Sequence, residues 1–393
     1  MLLRPLIFSA SLLLLAATNA VAAEPEMSLN EDMTEIGALM SNLLNEKVLA
    51  DPKATITRLD KLGERFVSMA PHAEGRGPAF RITWQTMLEQ IDRTREAVDR
   101  GTASKDSLRN LVHGIATACA GCHTQDDRAQ ALSFGKLSVA TDDPLQQARF
   151  HYITRDYAAA LKLYDAFLDS RPRLAYDGGV LDALEGELTI FAQIYRDPER
   201  GVRHFRKRLE QGGGSMSKQV RKDIEAWIRG FDEVRRAKLK AFEPSWEQLE
   251  SYAGRYVLPH EGVPIVSEEK EKVAYLWMRG LLHEYVQTHP ADPNMPQLLY
   301  WLAIVDRMLD YNLYYSLADL YLKECITRYP ATDTAERCYT EYRRYVEFAY
   351  SGSGGENVPA DVVDELARLY KLIESARAPA SGEEIPDNAA PTP

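Results

Sequence analysis

Four cysteines in 393 residues, a formal charge of -11, and the lack of any phosphate-cradling glycine loop, nucleophile motif or paired acid/base cluster remove several function classes at once. The acidic balance argues against nucleic acid as a partner, because a phosphate backbone calls for a basic face. The missing catalytic constellation argues against an enzyme. Alternating apolar and polar runs, the mark of half-buried strands, are scarce too. Most of the chain carries apolar residues at helical spacing, so an all-α protein is expected. Past the N-terminal segment no apolar run is long enough to cross a bilayer, which takes ~20 residues.

That N-terminal segment, MLLRPLIFSASLLLLAATNAVAAEPE, sets one cation at Arg4 before an apolar run from Leu6 to Ala17 and small residues before Glu24. This is the pattern of a secretory signal peptide over 1–23, cut at Ala22 or Ala23. About a dozen apolar residues are too few for a membrane anchor. No cysteine stands at the cut, so a lipid anchor is not expected. The mature chain is expected in the periplasm, touching a membrane only through partners. The remainder exceeds one small core and predicts two or three units. Its charge is uneven: residues 199–240 hold 13 Lys/Arg against 6 Asp/Glu, and 241–393 hold 13 against 25. A basic stretch of this kind is a solvated helix face, a docking site for an acidic partner, or one half of an intramolecular contact.

The two close cysteines lie in ACAGCH, residues 118–123. On a helix Cys119, Cys122 and His123 stand at i, i+3 and i+4 and project from one face. In an exported chain such a set serves a redox disulfide, half a zinc site or haem c attachment. Zinc would want a second ligand pair, and no cysteine lies between 124 and 324. A thioredoxin-like motif would want strands around it, and there are none. Haem c fits best: two thiols add across the porphyrin vinyl groups, and the imidazole in the same turn becomes the proximal iron ligand. Cys325 and Cys338 flank the turn TRYPATDTAER between two helical patterns; a structural disulfide is favoured there over two separate buried thiols.

Apolar residues recur at helical spacing in 30–49, 54–69, 79–99 and 104–123, separated by ADPKA, APHAEGRGPA and DRGTASKDS. Four helices with short connections predict an up-and-down four-helix bundle over 24–135, with the haem motif closing its last helix. The arrangement resembles the class II cytochromes c, the cytochrome c-prime and low-spin four-helix type, in which IATACAGCHTQ looks like the usual end of the fourth helix. LNEDMTEIGALMSNLL and FRITWQTMLEQID are similar to helices one and three of the soluble periplasmic four-helix cytochrome b. Together the two resemblances span roughly residues 27–130. They imply one covalent haem c, with iron bound by His123 and by Met33 as distal ligand, and with Ile36, Phe80 and Trp84 packed on the porphyrin.

Read from the residues alone, Met33, Ile36 and Met40 form an i, i+3, i+7 stripe that turns two thioethers toward the core. Methionine also fills cores, and some class II members leave the distal side open. Met33, Met40 and an open sixth position therefore all stand. His72, in the loop between the second and third helices, and His113, ten residues before His123 and on another face, read as surface or hydrogen-bonded histidines.

From 145 onward the pattern changes. Ala160, Tyr164, Phe167 and Pro172 fall at offsets that Ala318, Leu322, Cys325 and Pro330 repeat, and a poorer copy carries Met278 and ends at Pro290. This is similar to the second helix and closing proline of a tetratricopeptide repeat. The segment 136–147 reads as a linker and 148–376 as a TPR-like α-solenoid. EQGGGSMSK at 210–218 and YAGRYVLPHEGVPIVS at 252–267 interrupt it as non-helical loops, a last helix near 360–375 caps it, and 377–393 is a Pro-rich disordered tail.

Three functions follow: an electron-transfer cytochrome whose solenoid docks a redox partner protein, a haem-based gas or redox sensor, and a scaffold with a largely structural haem. Electron transfer is preferred, because stacked helical pairs offer broad surfaces to protein partners and no chemistry of their own.

Overall fold

A computed structural model of the chain describes residues 29–71, 78–123, 141, 143–212, 215–262, 268–309, 317–353 and 355–378, and these are almost wholly helical. The protein is all-α. The expected signal segment, half of the expected linker, His72 and the tail beyond Ala378 lie outside the described residues.

The first helices are α1 (Leu29–Leu43), α2 (Glu46–Leu49), α3 (Pro52–Ser68), α4 (Pro78–Asp99) and α5 (Lys105–His123). The helix expected over 30–49 breaks at Asn45, whose side chain accepts the Lys47 N–H at 2.9 Å and so competes with the helical ladder. α3 starts where Asp51 accepts the Ala54 N–H at 3.2 Å and Pro52 takes a position whose missing N–H is not needed. α1 packs on α3, α3 on α4 and α4 on α5. Their inner faces, including Leu43, Leu59, Leu62 and Ile115, make one apolar core.

The rest of the chain comprises α6 (Pro144–Ile153), α7 (Tyr157–Asp169), α8 (Gly178–Thr189), which runs on through a π-helical turn Ile190–Ile194, α9 (Pro198–Gly212), α10 (Lys218–Arg236), α11 (Trp246–Tyr256), α12 (Glu271–Thr288), α13 (Met295–Met308), α14 (Ala318–Arg328), α15 (Asp333–Ala349) and α16 (Ala360–Arg377). A two-residue antiparallel strand pair, β1 (Ser351–Gly352) and β2 (Gly355–Glu356), precedes α16. Many starts are visible in the sequence as side-chain caps: Asp156 for α7, Asp177 for α8, Ser217 for α10, a Ser245/Gln248 capping box for α11 and Thr332 for α15.

Chain neighbours pack as hairpins, α6 with α7, α9 with α10 and α12 through α15 in turn. Ala160 and Ala318 are buried at these contacts. α7, α12 and α14 each stop just short of Pro172, Pro290 and Pro330. A disulfide joins Cys325 on α14 to Cys338 on α15, with Cα atoms 6.5 Å apart. Buried ion pairs tie further helices: Arg279 to Asp306 at 2.9 Å, Arg307 to Glu341 at 2.8 Å and Arg196 to Glu284 at 2.7 Å.

Two expectations need correction. The expected linker 136–147 ends inside α6, because Asp143 accepts the Leu145 N–H at 2.9 Å and Pro144 opens a helix in a stretch of weak apolar pattern. The stretch 252–267 is helical as far as Tyr256: Leu249, Tyr252 and Ala253 bury one face, and Gly254 meets nothing that disfavours a helix. At 210–218, α9 reaches Gly212, Met216 bridges to Leu174, and 213–214 lie outside the described residues.

The two cores exchange side chains. Phe150 and Ile153 of α6 are buried in the first core, while Leu145 and Ala148 of the same helix join the second. Ile82 of α4 packs into the second core, and Arg81 beside it forms an ion pair with Glu324 of α14.

Candidate functional site

The last turn of α5 carries Cys119 and His123, and both line a narrow apolar cavity of about 40 Å³. α1 contributes Met33, Ile36 and Met40 to its wall, and α4 contributes Phe80 and Trp84. Cys122 lies in the same final turn of α5, and its side chain lies outside the described residues. The Trp84 indole donates to the Phe66 carbonyl at 2.8 Å, which fixes its ring against the cavity.

Other wall residues were not singled out from the sequence. Met87 stands three residues after Trp84, so Phe80, Trp84 and Met87 form an i, i+4, i+7 stripe that periodicity alone reveals. Met69 at the end of α3 and the pair Ile153 and Thr154 at the end of α6 are distant in sequence, and no local signal marks them. Four methionines, at 33, 40, 69 and 87, thus surround the cavity. Met40, Met69 and Met87 are fully buried, and Met33 is half-buried.

His123 is held from outside the first core. Its Nδ1 bonds the Ile153 carbonyl. A carbonyl only accepts, so Nδ1 carries the proton and Nε2 keeps its lone pair, the tautomer of a metal-binding imidazole steered by a carbonyl. Tyr157 of α7 donates to the His123 carbonyl at 3.4 Å. Burial, with the Arg155 charge beside it, pushes the imidazole down to about 3, so the ring stays neutral. Arg155 lies in the left-handed region at φ 65°, turning the chain sharply from α6 into α7 and bringing this corner against the end of α5.

A second cavity, of about 310 Å³, lies on the opposite side of α5, between it and α6 to α8. His113 faces it beside the Arg149–Asp182 ion pair, which is 2.5 Å long. Burial first, and Arg149 second, push the His113 imidazole down. Glu185 also lines this cavity, and burial raises its carboxyl to about 7 although Lys272 Nζ stands 3.3 Å away.

Asp165, Glu187 and His204 bring three potential metal-ligand atoms within 4.8 Å of one another, a grouping no sequence motif announced. Arg208 sits among them, paired with Asp165, with Asp169 at 2.5 Å and with Glu187 at 3.6 Å. The guanidinium supplies the positive charge a cation would bring. It also draws part of the basic stretch 199–240 into an intramolecular contact.

No protein-family model, curated protein or solved structure matches the chain. The site therefore rests on its own chemistry. A thiol and a neutral imidazole on one helix end, aromatic rings on a second helix and thioethers around them make a set of side chains whose chemistry suits an iron porphyrin.

Proposed function

We propose that the chain is an exported, periplasmic mono-haem c-type cytochrome that transfers electrons: a class II-like four-helix bundle carrying the haem, followed by a TPR-like α-solenoid that docks a redox partner protein. The observation that carries this reading is the CAGCH sequence at the end of α5, with Cys119 and His123 on an apolar cavity ringed by four methionines. Cys119 and Cys122 would hold the porphyrin through thioether bonds, and His123 would bind iron through the nitrogen that Ile153 leaves unoccupied. The haem, when bound, supplies a one-electron iron couple.

Electron transfer is favoured over gas sensing by the thioethers. A methionine ligand stabilises the reduced iron and raises the potential, and it closes the distal side to small gases. Phe66, Phe80, Trp84 and Met87 give the slot an apolar wall.

Absorption spectra of the ferric and ferrous protein test the reading. A low-spin ferric spectrum with a thioether-to-iron charge-transfer band, and little response to carbon monoxide, are expected. A high-spin protein that takes up carbon monoxide readily would promote the sensor instead.

A further inference from the structure

The two cavities described above share a wall. Ile153 lines both, and α5 stands between them, with Cys119 and His123 on one side and Ala116 and Ala120 on the other. A helix is about 10 Å across, so the far side of the second cavity lies about 12–15 Å from the first. The first cavity is apolar. The second has charged and polar walls, and its volume of about 310 Å³ far exceeds what one water needs, so solvent reaches its lining groups.

The carboxyl groups at its inner end outnumber the cations. Arg149 of α6 is committed to Asp182 of α8 at 2.5 Å. Lys272 of α12 is shared, with Nζ 2.9 Å from Glu269 and 3.3 Å from Glu185. Asp223 of α10 acts on Lys272 and Glu269 as well. Glu269 is the better served of the two glutamates, because it also accepts the Trp227 indole N–H at 2.9 Å and is a third exposed. Glu185, on α8, is 6% exposed and has no second donor among the described residues. Tyr164 of α7 and His113 of α5 line the cavity beside it, and the imidazole is kept neutral by burial and by Arg149. A buried carboxylate with a fraction of one ammonium for its counter-charge is costly, and a proton removes that cost.

We propose that Glu185 is a redox-linked proton site: it takes up a proton from the second cavity when the haem gains an electron, and returns it on oxidation. The inference rests on the cytochrome reading. One electron from the redox partner takes Fe(III) to Fe(II), one proton from cavity water bonds a Glu185 carboxylate oxygen, and no other bond forms or breaks. The negative charge gained on one side of α5 is thus matched by a positive charge on the other. Unit charges about 12–15 Å apart at an effective dielectric of about 20 change each other's binding by about fivefold to tenfold. Linkage makes the effect reciprocal, so proton binding at Glu185 favours reduction by the same factor.

The sign follows. At low pH Glu185 is protonated in both redox states, at high pH in neither, and the potential is flat at both ends. Between them the reduced protein holds the proton and the oxidised protein does not, so the potential falls as pH rises. Burial lifts the Glu185 carboxyl to about 7, which starts that window near neutrality.

The test is a spectroelectrochemical titration of the full haem-loaded chain across the window and beyond both ends. A total fall of about 40–60 mV is expected, the fivefold to tenfold ratio taken at about 59 mV per tenfold for one electron. Glu185→Gln is expected to abolish the fall, and His113→Gln to leave it. Because a core variant can fail to fold, the wild-type protein is also read by reduced-minus-oxidised infrared spectroscopy inside the window. Reduction is expected to create the carbonyl band of a protonated carboxyl, sensitive to deuterium exchange. A flat wild-type potential, a fall that survives Glu185→Gln, or an infrared difference without that band would overturn the proposal and leave the cytochrome reading intact. A chain whose intact mass shows no haem would overturn both.

Discussion

Met33 differs from the other three cavity methionines in one respect: it is half-buried, whereas Met40, Met69 and Met87 have spent their surface on the core. Truncating one of those three leaves a void and is expected to cost about 2–5 kcal/mol of stability without changing spin state. Met33→Ala is expected to turn the ferric protein high spin and open it to carbon monoxide. A low-spin Met33→Ala protein, alongside a high-spin Met40→Ala, Met69→Ala or Met87→Ala, would move the sixth ligand to that residue.

Glu185 gives a second prediction at this scale. Burial lifts its carboxyl from an ordinary 4.5 to about 7 against the pull of Lys272, with Glu269 and Asp182 adding repulsion. The folded state thus holds a proton there that the unfolded state has released. This contribution to stability is complete below the ordinary value and is lost as pH rises through about 7. Glu185→Gln is expected to flatten that decline, and Lys272 keeps Glu269 at 2.9 Å as a partner. Urea midpoints at acid and mildly alkaline pH check it; an unchanged slope in the variant would contradict it.

Among the elements, much was readable because start signals and periodicity agree. Asp, Ser and Thr caps begin α3, α6, α7, α8, α10, α11 and α15. The stripe Met33, Ile36, Met40 and the pair Phe80, Trp84 do reach one cavity, since each repeats at the helical period. Local signals failed where weak periodicity hid a helix, as at Pro144, and where a glycine-bearing stretch was held helical by its buried face, as at 252–256. They also failed where the site draws on sequence-distant residues. Nothing near CAGCH announces the Ile153 carbonyl or Met69.

The α14–α15 hairpin is closed by the Cys325–Cys338 disulfide across a sequence separation of 13. A loop of that size is worth about 2–4 kcal/mol. Cys325→Ala with Cys338→Ala is expected to lower stability by that amount and leave the haem spectrum unchanged. A spectral shift would show that α14 and α15 are coupled to the haem site.

For the molecule as a whole, the sequence predicted two units joined by a linker, each with its own core. Among the described residues there are two cores, yet α6 serves both, and His123 donates its Nδ1–H to the Ile153 carbonyl at the end of that helix. The reason is the short α6–α7 corner, which seats Ile153 and Tyr157 on the end of α5. A fragment 24–135 is therefore expected to be less stable than a fragment 24–175, which keeps Phe150 and Ile153. Burial of those two side chains is worth about 3–6 kcal/mol, read as a difference in denaturant midpoint. Equal stability would show that the first core is complete without α6.

The account stands or falls on covalent haem at CAGCH, and the intact mass of the chain recovered from a periplasm equipped for cytochrome c maturation tests it most directly. The predicted result is the polypeptide cut after Ala22 or Ala23 plus the mass of one haem, retained after acid-acetone extraction and absent from a Cys119→Ser/Cys122→Ser variant. A mature chain carrying no added mass, with Cys119 and Cys122 as thiols or as a disulfide, would contradict it.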